Sequence, residues 1–231
     1  MTDESQLTAV SETVSHLAAR WAQADKRILR EVFPLLAEGR PVPVERIVAA
    51  AGATRSSVEE ALESGRAGRD AEGRVVELSG LMLGPTMHRV EIGNIALFSC
   101  CALLAQLVPA LLERPVRVES VDPVSRGLVV LDITPEGVTA LEPREAVGSF
   151  VVTAPNAIAG DVGANFCRHV HHFTSPIQRA RSPRPTRGGT RWESTSSMQL
   201  RGCCIRRLGR ARCRACGSRS GKRSGPARWS A

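Results

Sequence analysis

Two short runs of the sequence place cysteine thiols among apolar residues. Cys100 and Cys101 lie in the run Leu-Phe-Ser-Cys-Cys-Ala-Leu-Leu at 97–104, and Cys167 begins the run Cys-Arg-His-Val-His-His-Phe at 167–173. The first residues lack a basic stretch followed by an apolar one, so we expect no secretory leader and a cytoplasmic location. Cysteines in that compartment are more often metal ligands or nucleophiles than structural disulfides. Converging thiolates select soft metals that take few ligands, whereas a single such cysteine is more often a small buried hydrophobic residue.

The net charge of +8 is concentrated at one end of the chain. Of the 31 lysine and arginine residues, 15 lie after residue 176, whereas 22 of the 23 acidic residues lie before it. The body of the chain is therefore mildly acidic, and the overall basic charge gives no support to nucleic-acid binding by the folded part.

Residues 177–231 form a basic, low-complexity segment without a helical or strand period, and we predict a disordered tail. Its composition is that of GC-rich codons read out of frame, so a frameshift near Pro176 is one hypothesis. The alternative is a zinc site beside nucleic-acid-binding arginines. Two of its four ligands would be adjacent, which fits a zinc ribbon poorly; these cysteines are Cys203, Cys204, Cys213 and Cys216.

The first 84 residues have the pattern of a winged-helix-like domain. Apolar residues recur at helical spacing over 6–23, 26–38 and 44–51, and Thr54 can cap a further helix. A ribbon of two strands follows over 68–83, with a turn at 70–73. The candidate recognition helix at 55–63 carries three glutamates and one arginine, so we expect no DNA binding.

Residues 85–176 predict an α+β core with a mostly antiparallel sheet. We expect strands at 88–92, 116–121, 128–133, 149–153 and 166–173, and one helix buried on all sides at 97–112. That run is too short to cross a bilayer, so we expect no membrane contact. Cys100 and Cys101 would lie in the first helical turn, where free N–H groups stabilise a thiolate. In a strand at 166–173, His169 and His171 would share one face, and we favour hydrogen-bonded structural histidines over metal ligands.

Several motifs in a fixed order resemble the organomercurial (alkylmercury) lyases. They include Phe-Ser-Cys-Cys-Ala-Leu at 98–103, Val-Pro-Ala-Leu at 108–111 and Phe-Cys-Arg-His-Val-His-His-Phe at 166–173, and the resemblance covers about 20–176. It implies protonolysis of a carbon–mercury bond in an organomercurial substrate. By position, Cys101 and Cys167 become the catalytic thiols and mercury ligands, with Cys100 as a candidate third ligand. It also implies no resident cofactor, an external thiol reductant and transfer of Hg(II) to a mercuric reductase.

The sequence departs from that family at two positions. The family's aspartate, three residues after its first cysteine, corresponds to Leu104, and the tryptophan before that cysteine corresponds to Cys100. No acidic residue lies between Glu91 and Glu113. Leucine cannot transfer a proton, so turnover is less well supported than mercury binding. The alternative is a thiol-based protein that binds or senses mercury or another soft metal without lyase turnover.

Overall fold

The computed structural model of the chain describes residues 25–150 and 162–181, together with the two-residue strand Met198–Gln199. Within these residues, no helix is long and apolar enough to cross a membrane. The predicted helix at 6–23 and most of the predicted tail lie outside the described residues.

Three helices open the described part, as the apolar spacing predicts. Helix α1 spans Lys26–Leu36, α2 spans Val44–Ala51 and α3 spans Arg55–Ser64. The Asp25 carboxylate accepts the amide hydrogens of Arg27 and Ile28, and the Thr54 hydroxyl accepts that of Ser57. The caps therefore fix the starts of α1 and α3, and their apolar faces pack into the core.

An eight-stranded antiparallel sheet forms the centre of the molecule. Its order is β1-β2-β3-β5-β4-β6-β7-β8. The strands are β1 (Gly68–Arg69), β2 (Val75–Leu78), β3 (Leu81–Met82), β4 (His88–Ile92), β5 (Ile95–Ser99), β6 (Val116–Val121), β7 (Leu128–Thr134) and β8 (Gly137–Glu142). Strand β3 pairs with β5, so the ribbon β1–β3 continues directly into the core sheet.

Helix α4 spans Ala102–Leu112 and packs against β4, β5, β6 and β7. The prediction that it is buried on all sides is wrong at its end, because Ala110 and Leu111 are exposed. The prediction of a helix from residue 97 is wrong at its start, because 97–99 belong to β5. That strand pairs with β4 along its whole length. A continuous apolar run does not distinguish a buried strand from a buried helix, and here it contains both.

The segment around Cys167 also differs from the prediction. The expected strand at 166–173 is instead a 3₁₀ turn, Cys167–His169, followed by the short strand β10, His172–Phe173. Helix α5, Val162–Asn165, precedes the turn. The segment contains two pairs of adjacent polar residues, Arg168-His169 and His171-His172, so it lacks the alternation of polar and apolar side chains that is typical of a strand.

Further elements fall where the sequence predicted none or placed them differently. Strand β9 is Val147–Gly148 rather than 149–153, of which 151–153 lie outside the described residues. It lies between β10 and β11, Met198–Gln199. Helix α6 spans Pro176–Arg181, so the segment predicted as disordered begins with a helix. Strand β8 was not predicted. Most of its residues are half-buried or exposed, and polar and apolar side chains are mixed along it.

We expect the core of the sheet to tolerate truncation poorly. Leu131 is fully buried in β7, whereas Leu128 in the same strand is 51% exposed. Leu131→Ala should lower the free energy of unfolding by about 2–5 kcal/mol, because it leaves a cavity. Leu128→Ala, the matched control, should cost less than about 1 kcal/mol. Urea unfolding followed by circular dichroism measures both, and equal losses would contradict this packing.

Candidate functional site

Three free cysteines converge at one end of helix α4. The sulfur atoms of Cys100, Cys101 and Cys167 all lie within 4.8 Å of one another, although Cys167 is more than sixty residues away in sequence. Cys101 is buried, and the other two are partly buried. The expected meeting of the two cysteine runs is therefore observed, and three thiols share it.

The end of β5 and the start of α4 position the first two thiols. Cys101 is the N-cap residue of α4 in an extended conformation, so neither Cys100 nor Cys101 lies in the first helical turn. The Cys101 carbonyl accepts the Ser99 hydroxyl at 2.9 Å and the amide of Ala105 at 3.1 Å. The extended backbone at Cys101 thus turns the chain from strand to helix while its side chain stays in the core.

Backbone hydrogen bonds hold the third thiol against the same helix start. The amide of Ala102 donates to the Val170 carbonyl at 3.0 Å, and the Val170 amide donates to the Cys167 carbonyl at 3.1 Å. Ser149, which follows β9, accepts the His171 amide through its hydroxyl at 2.8 Å and donates to the His169 carbonyl at 2.8 Å. Hydrogen bonds therefore hold the turn that carries Cys167 to the start of α4 on one side and to Ser149 on the other.

Gly80 forms the floor under Cys100. Its carbonyl accepts the Cys100 amide at 2.8 Å, and its φ of +89° lies in the left-handed region. A Cβ atom at this position would collide with the Cys100 sulfur and would lie 3.0 Å from a methyl carbon of Leu104. A side chain at position 80 is thus excluded by both conformation and space.

The walls of the site are apolar. A small buried cluster of side chains surrounds the thiols, and the rings of Phe150 and Phe166 meet edge to face with 5.2 Å between centroids. Leu104, at the position of the expected carboxylate, is 4% exposed and belongs to this cluster. The other members are Ala102, Leu103, Val162 and Val170.

Burial and mutual contact keep the first two thiols protonated. Contact with Cys100, contact with Cys167 and burial all raise the pKa of Cys101 well above its usual range. Contact with Cys101 lowers the pKa of Cys100, but contact with Cys167, burial and the charges of Cys167 and Glu77 outweigh it, and the pKa reaches about 12. The prediction of a stabilised thiolate is therefore wrong for the free protein.

One carboxyl near the thiols was missed by the sequence reasoning. Glu77 in β2 is partly buried, and burial together with the charge of Cys167 raises its pKa. It lies 24 positions before Cys101, in the ribbon assigned to the N-terminal domain, and no linear motif connects it to the cysteines. The pairing of β3 with β5 is what brings the ribbon to the site.

The histidines form a hydrogen-bonded network beside the cysteines. His172 and His88 each contact the Ser120 hydroxyl through Nδ1, at 2.8 and 2.9 Å, and His172 Nε2 lies 2.9 Å from the Gln106 amide nitrogen. Burial lowers the pKa of His172 well below its usual range and that of His88 to about 3. The expected structural role is supported by these bonds, but the predicted shared face of His169 and His171 is wrong, because the segment is not a strand.

The position of each proton in this network follows from which atoms can donate. The Gln106 amide nitrogen can only donate, so His172 carries its proton on Nδ1 and donates to Ser120, which donates to His88 Nδ1. His88 therefore carries its proton on Nε2, a buried atom without a hydrogen-bond partner among the described residues. The network links α4 to β6 and β4, close behind the cysteines.

Two alternatives from the sequence, a zinc site in the tail and DNA binding, are not tested by these contacts. The four tail cysteines of the proposed zinc site lie outside the described residues. Arg55 on the candidate recognition helix forms ion pairs with Glu45 and Glu59, so its positive charge is compensated within the protein. The absence of DNA binding stays a prediction.

Comparisons with known proteins indicate one family for the chain. The sequence model of a family described as alkylmercury lyase matches residues 81–200, and that of the helix-turn-helix domain of alkylmercury lyase matches residues 10–79. The first match extends past residue 176, where the resemblance had been expected to end.

Relatives and a solved structure give similar results. The chain is 36% identical to an alkylmercury lyase of Streptomyces lividans over 177 residues, which is 76% of this chain and 80% of that protein. It is 39% identical to one of Staphylococcus epidermidis over 150 residues, 64% of this chain and 68% of that protein. The fold is similar to a structure titled "Crystal structure of the mercury-bound form of MerB2", with a TM-score of 0.61, 19% identity, and coverage of 75% of this chain and 85% of that one.

Stability should fall in alkaline solution because of the buried thiols. Folding raises the pKa of Cys100 from 9.0 to about 12, so the unfolded chain loses this proton at lower pH than the folded protein. The stabilisation that the neutral thiol gives the fold is therefore complete below pH 9.0 and is lost as the pH rises towards about 12. The chain has no tyrosine, and its two lysines are Lys26 and Lys222, so few other groups titrate in this window. Reduced wild-type protein and Cys101→Ser are compared by thermal unfolding from pH 7 to 10.5. The variant should lose less stability than the wild type, and parallel curves would contradict buried neutral thiols.

Filling the floor of the site should disturb Cys100 specifically. Gly80→Ala should destabilise the fold by about 1–3 kcal/mol and make Cys100 react faster with a thiol reagent, because the added methyl group displaces its sulfur. Gly73→Ala is the matched control, since Gly73 has a similar φ of +75° with nothing within 4 Å of a Cβ. Equal thiol reactivity in the two variants would show that Gly80 does not support Cys100.

Proposed function

The chain belongs to the alkylmercury lyase family, a class of carbon–mercury lyases, and from this we propose that its three-thiol cluster cleaves carbon–mercury bonds by protonolysis. The observation that carries the proposal is the set of three sulfur atoms within 4.8 Å of one another. Sulfur is the ligand that soft metals prefer, and the cluster contains three such atoms in an apolar setting.

We assign the mercury of the substrate to Cys101 and Cys167. Mercury binds the thiolate form, so each bond formed displaces a thiol proton. The organic group would lie against the apolar walls, where Phe150, Phe166 and Val170 offer no charged partner. This favours organomercurials with apolar alkyl or aryl groups.

The two protons that mercury displaces from Cys101 and Cys167 balance the reaction: Cys100 gives its own proton to carbon and regains one of the two, and the other is released. The carbon–mercury bond breaks with its electron pair on carbon, a proton from a thiol adds to that carbon, and mercury stays as Hg(II). In balance, an organomercury cation and two thiols give the hydrocarbon, a mercury dithiolate and one proton. No oxidation takes place. Cys100, whose high pKa keeps its proton at neutral pH, is our candidate for the donor in place of a carboxyl at position 104.

Release of mercury requires further thiols. Two external thiols exchange with the dithiolate, which restores the cysteines and yields a mercury–thiol complex. We expect a mercuric reductase to accept it, and no resident cofactor takes part.

The N-terminal helices serve in this proposal as a winged-helix-like cover rather than as a DNA reader. Helix α1 packs against β2 and α4. Helix α3 carries three glutamates and one arginine, a charge that would repel an anionic partner such as DNA. The ribbon that follows them delivers Gly80 to the cluster.

The test is release of benzene from phenylmercury in the presence of excess thiol, measured by gas chromatography. Wild-type protein should release benzene over many turnovers. Cys101→Ser and Cys167→Ser should each lower the rate by at least about 10²-fold, since each removes a mercury ligand. Cys100→Ser should lower the rate but still bind mercury.

Cys213→Ser, a tail thiol outside the described residues, is the control and should match the wild type. Stoichiometric retention of phenylmercury without benzene would contradict the lyase proposal. It would favour the second candidate, a mercury-binding or sensing protein, which the leucine at position 104 favours on chemical grounds.

A further inference from the structure

We propose that the three-thiol cluster is also a binding site for trivalent arsenic, which it takes up from arsenite through Cys100, Cys101 and Cys167 together. In this complex Cys100 is a ligand rather than a proton donor. The inference adds a second class of ligand to the site and does not depend on cleavage of a carbon–mercury bond.

The number and spacing of the sulfurs fit a three-coordinate ion. All three sulfur atoms lie within 4.8 Å of one another. An ion bonded to sulfur at about 2.3 Å holds its sulfur ligands roughly 3.5–4 Å apart, so small side-chain rotations suffice to bring the thiols onto one ion. Among the described residues, no histidine or carboxylate joins this group of ligand atoms. The cluster therefore offers three soft ligands and no fourth.

Charge favours a trivalent ion at all three sulfurs. Three thiolates around a divalent ion such as Zn²⁺ or Hg²⁺ leave one net negative charge, whereas three thiolates around As(III) leave none. The apolar side chains around the thiols provide no positive charge that could compensate an anion. An uncompensated charge in such a setting is costly. Hg(II) is neutral with two thiolates, so the trivalent ion is the one that uses every sulfur in a neutral complex.

The binding reaction balances without a redox step. Arsenous acid, As(OH)₃, is the neutral form in which arsenite exists near neutral pH. Three arsenic–oxygen bonds break, three arsenic–sulfur bonds form, and each thiol proton leaves with a hydroxyl group as water. One arsenous acid and three thiols thus give one neutral trithiolate and three waters, and arsenic stays trivalent throughout.

The surroundings of the thiols allow entry and suit the bound ion. Cys100 and Cys167 are partly buried and Cys101 is buried, so arsenous acid meets the two outer thiols first. Trivalent arsenic keeps a lone pair on the side away from its three ligands, and that lone pair needs no partner. Leu104 packs against Gly80 beside the Cys100 sulfur. A leucine at this position adds no oxygen ligand and no negative charge, as a carboxylate would.

The test uses the full-length chain with its four tail cysteines replaced, so that the parent protein contains only the three thiols of the cluster; the substitutions are Cys203→Ser, Cys204→Ser, Cys213→Ser and Cys216→Ser. A phosphine keeps the protein reduced without adding a competing thiol. Titration with arsenite should end at one equivalent and protect all three thiols from a thiol reagent. X-ray absorption at the arsenic edge should give three sulfur neighbours and no oxygen.

Phenylarsine oxide is the matched control ligand. Its arsenic keeps one bond to carbon and takes two thiolates, with release of one water. Cys100→Ser in the parent protein should weaken arsenite binding by at least about 10²-fold, because it removes a direct ligand. The same variant should still take up one equivalent of phenylarsine oxide through Cys101 and Cys167, which together with circular dichroism demonstrates that it is folded.

Three results would overturn the inference. The first is an arsenic spectrum of the parent protein with two sulfurs and an oxygen. The second is arsenite binding by Cys100→Ser as tight as that of the parent. The third is a parent protein that binds one equivalent of Hg(II) but no arsenite. Benzene release from phenylmercury tests the lyase function separately, so either proposal can fail while the other stands.

Discussion

Three sulfur atoms share a partly buried, apolar space, and much of the molecule is arranged around this constraint. A thiolate is a good mercury ligand, but burying its charge is unfavourable, so the free protein keeps the thiols of Cys100 and Cys101 neutral. Their protons become available when a soft metal replaces them. The proposed lyase chemistry therefore uses the same low polarity that suppresses ionisation in the absence of substrate.

The fold brings the sulfurs together through backbone contacts between distant segments. The β2–β3 turn supports Cys100, the strand-to-helix turn holds Cys101, and the 3₁₀ turn that carries Cys167 is attached to the start of α4. Behind them, buried imidazoles of low pKa link α4 to the central sheet. Since the thiols come from two distant segments, the β5–α4 connection and the 3₁₀ turn, small shifts of the sheet or of α4 would change the distances between sulfurs.

Much of this arrangement could be predicted from the sequence. The cap at Thr54, the helical spacing of α2 and the strands β6 and β7 were predicted, because the local sequence marks each of them. The start of α4 was not, because apolar residues fill both β5 and the helix, and periodicity cannot separate them. The turn at Cys167 was missed because its polar residues are satisfied by Ser149 and by the network of histidines, which are contacts between distant segments. The electrostatic contact of Glu77 with Cys167 depends on the pairing of β3 with β5, which no linear pattern of the sequence shows.

The central claim is that sulfur atoms from both cysteine runs hold the same mercury ion. X-ray absorption at the mercury edge, on full-length protein with one equivalent of Hg(II), measures the ligands directly. The account predicts coordination by two or three sulfurs, with one sulfur lost in Cys101→Ser and one in Cys167→Ser. A spectrum unchanged in both variants, or a single protein sulfur in the wild type, would contradict it.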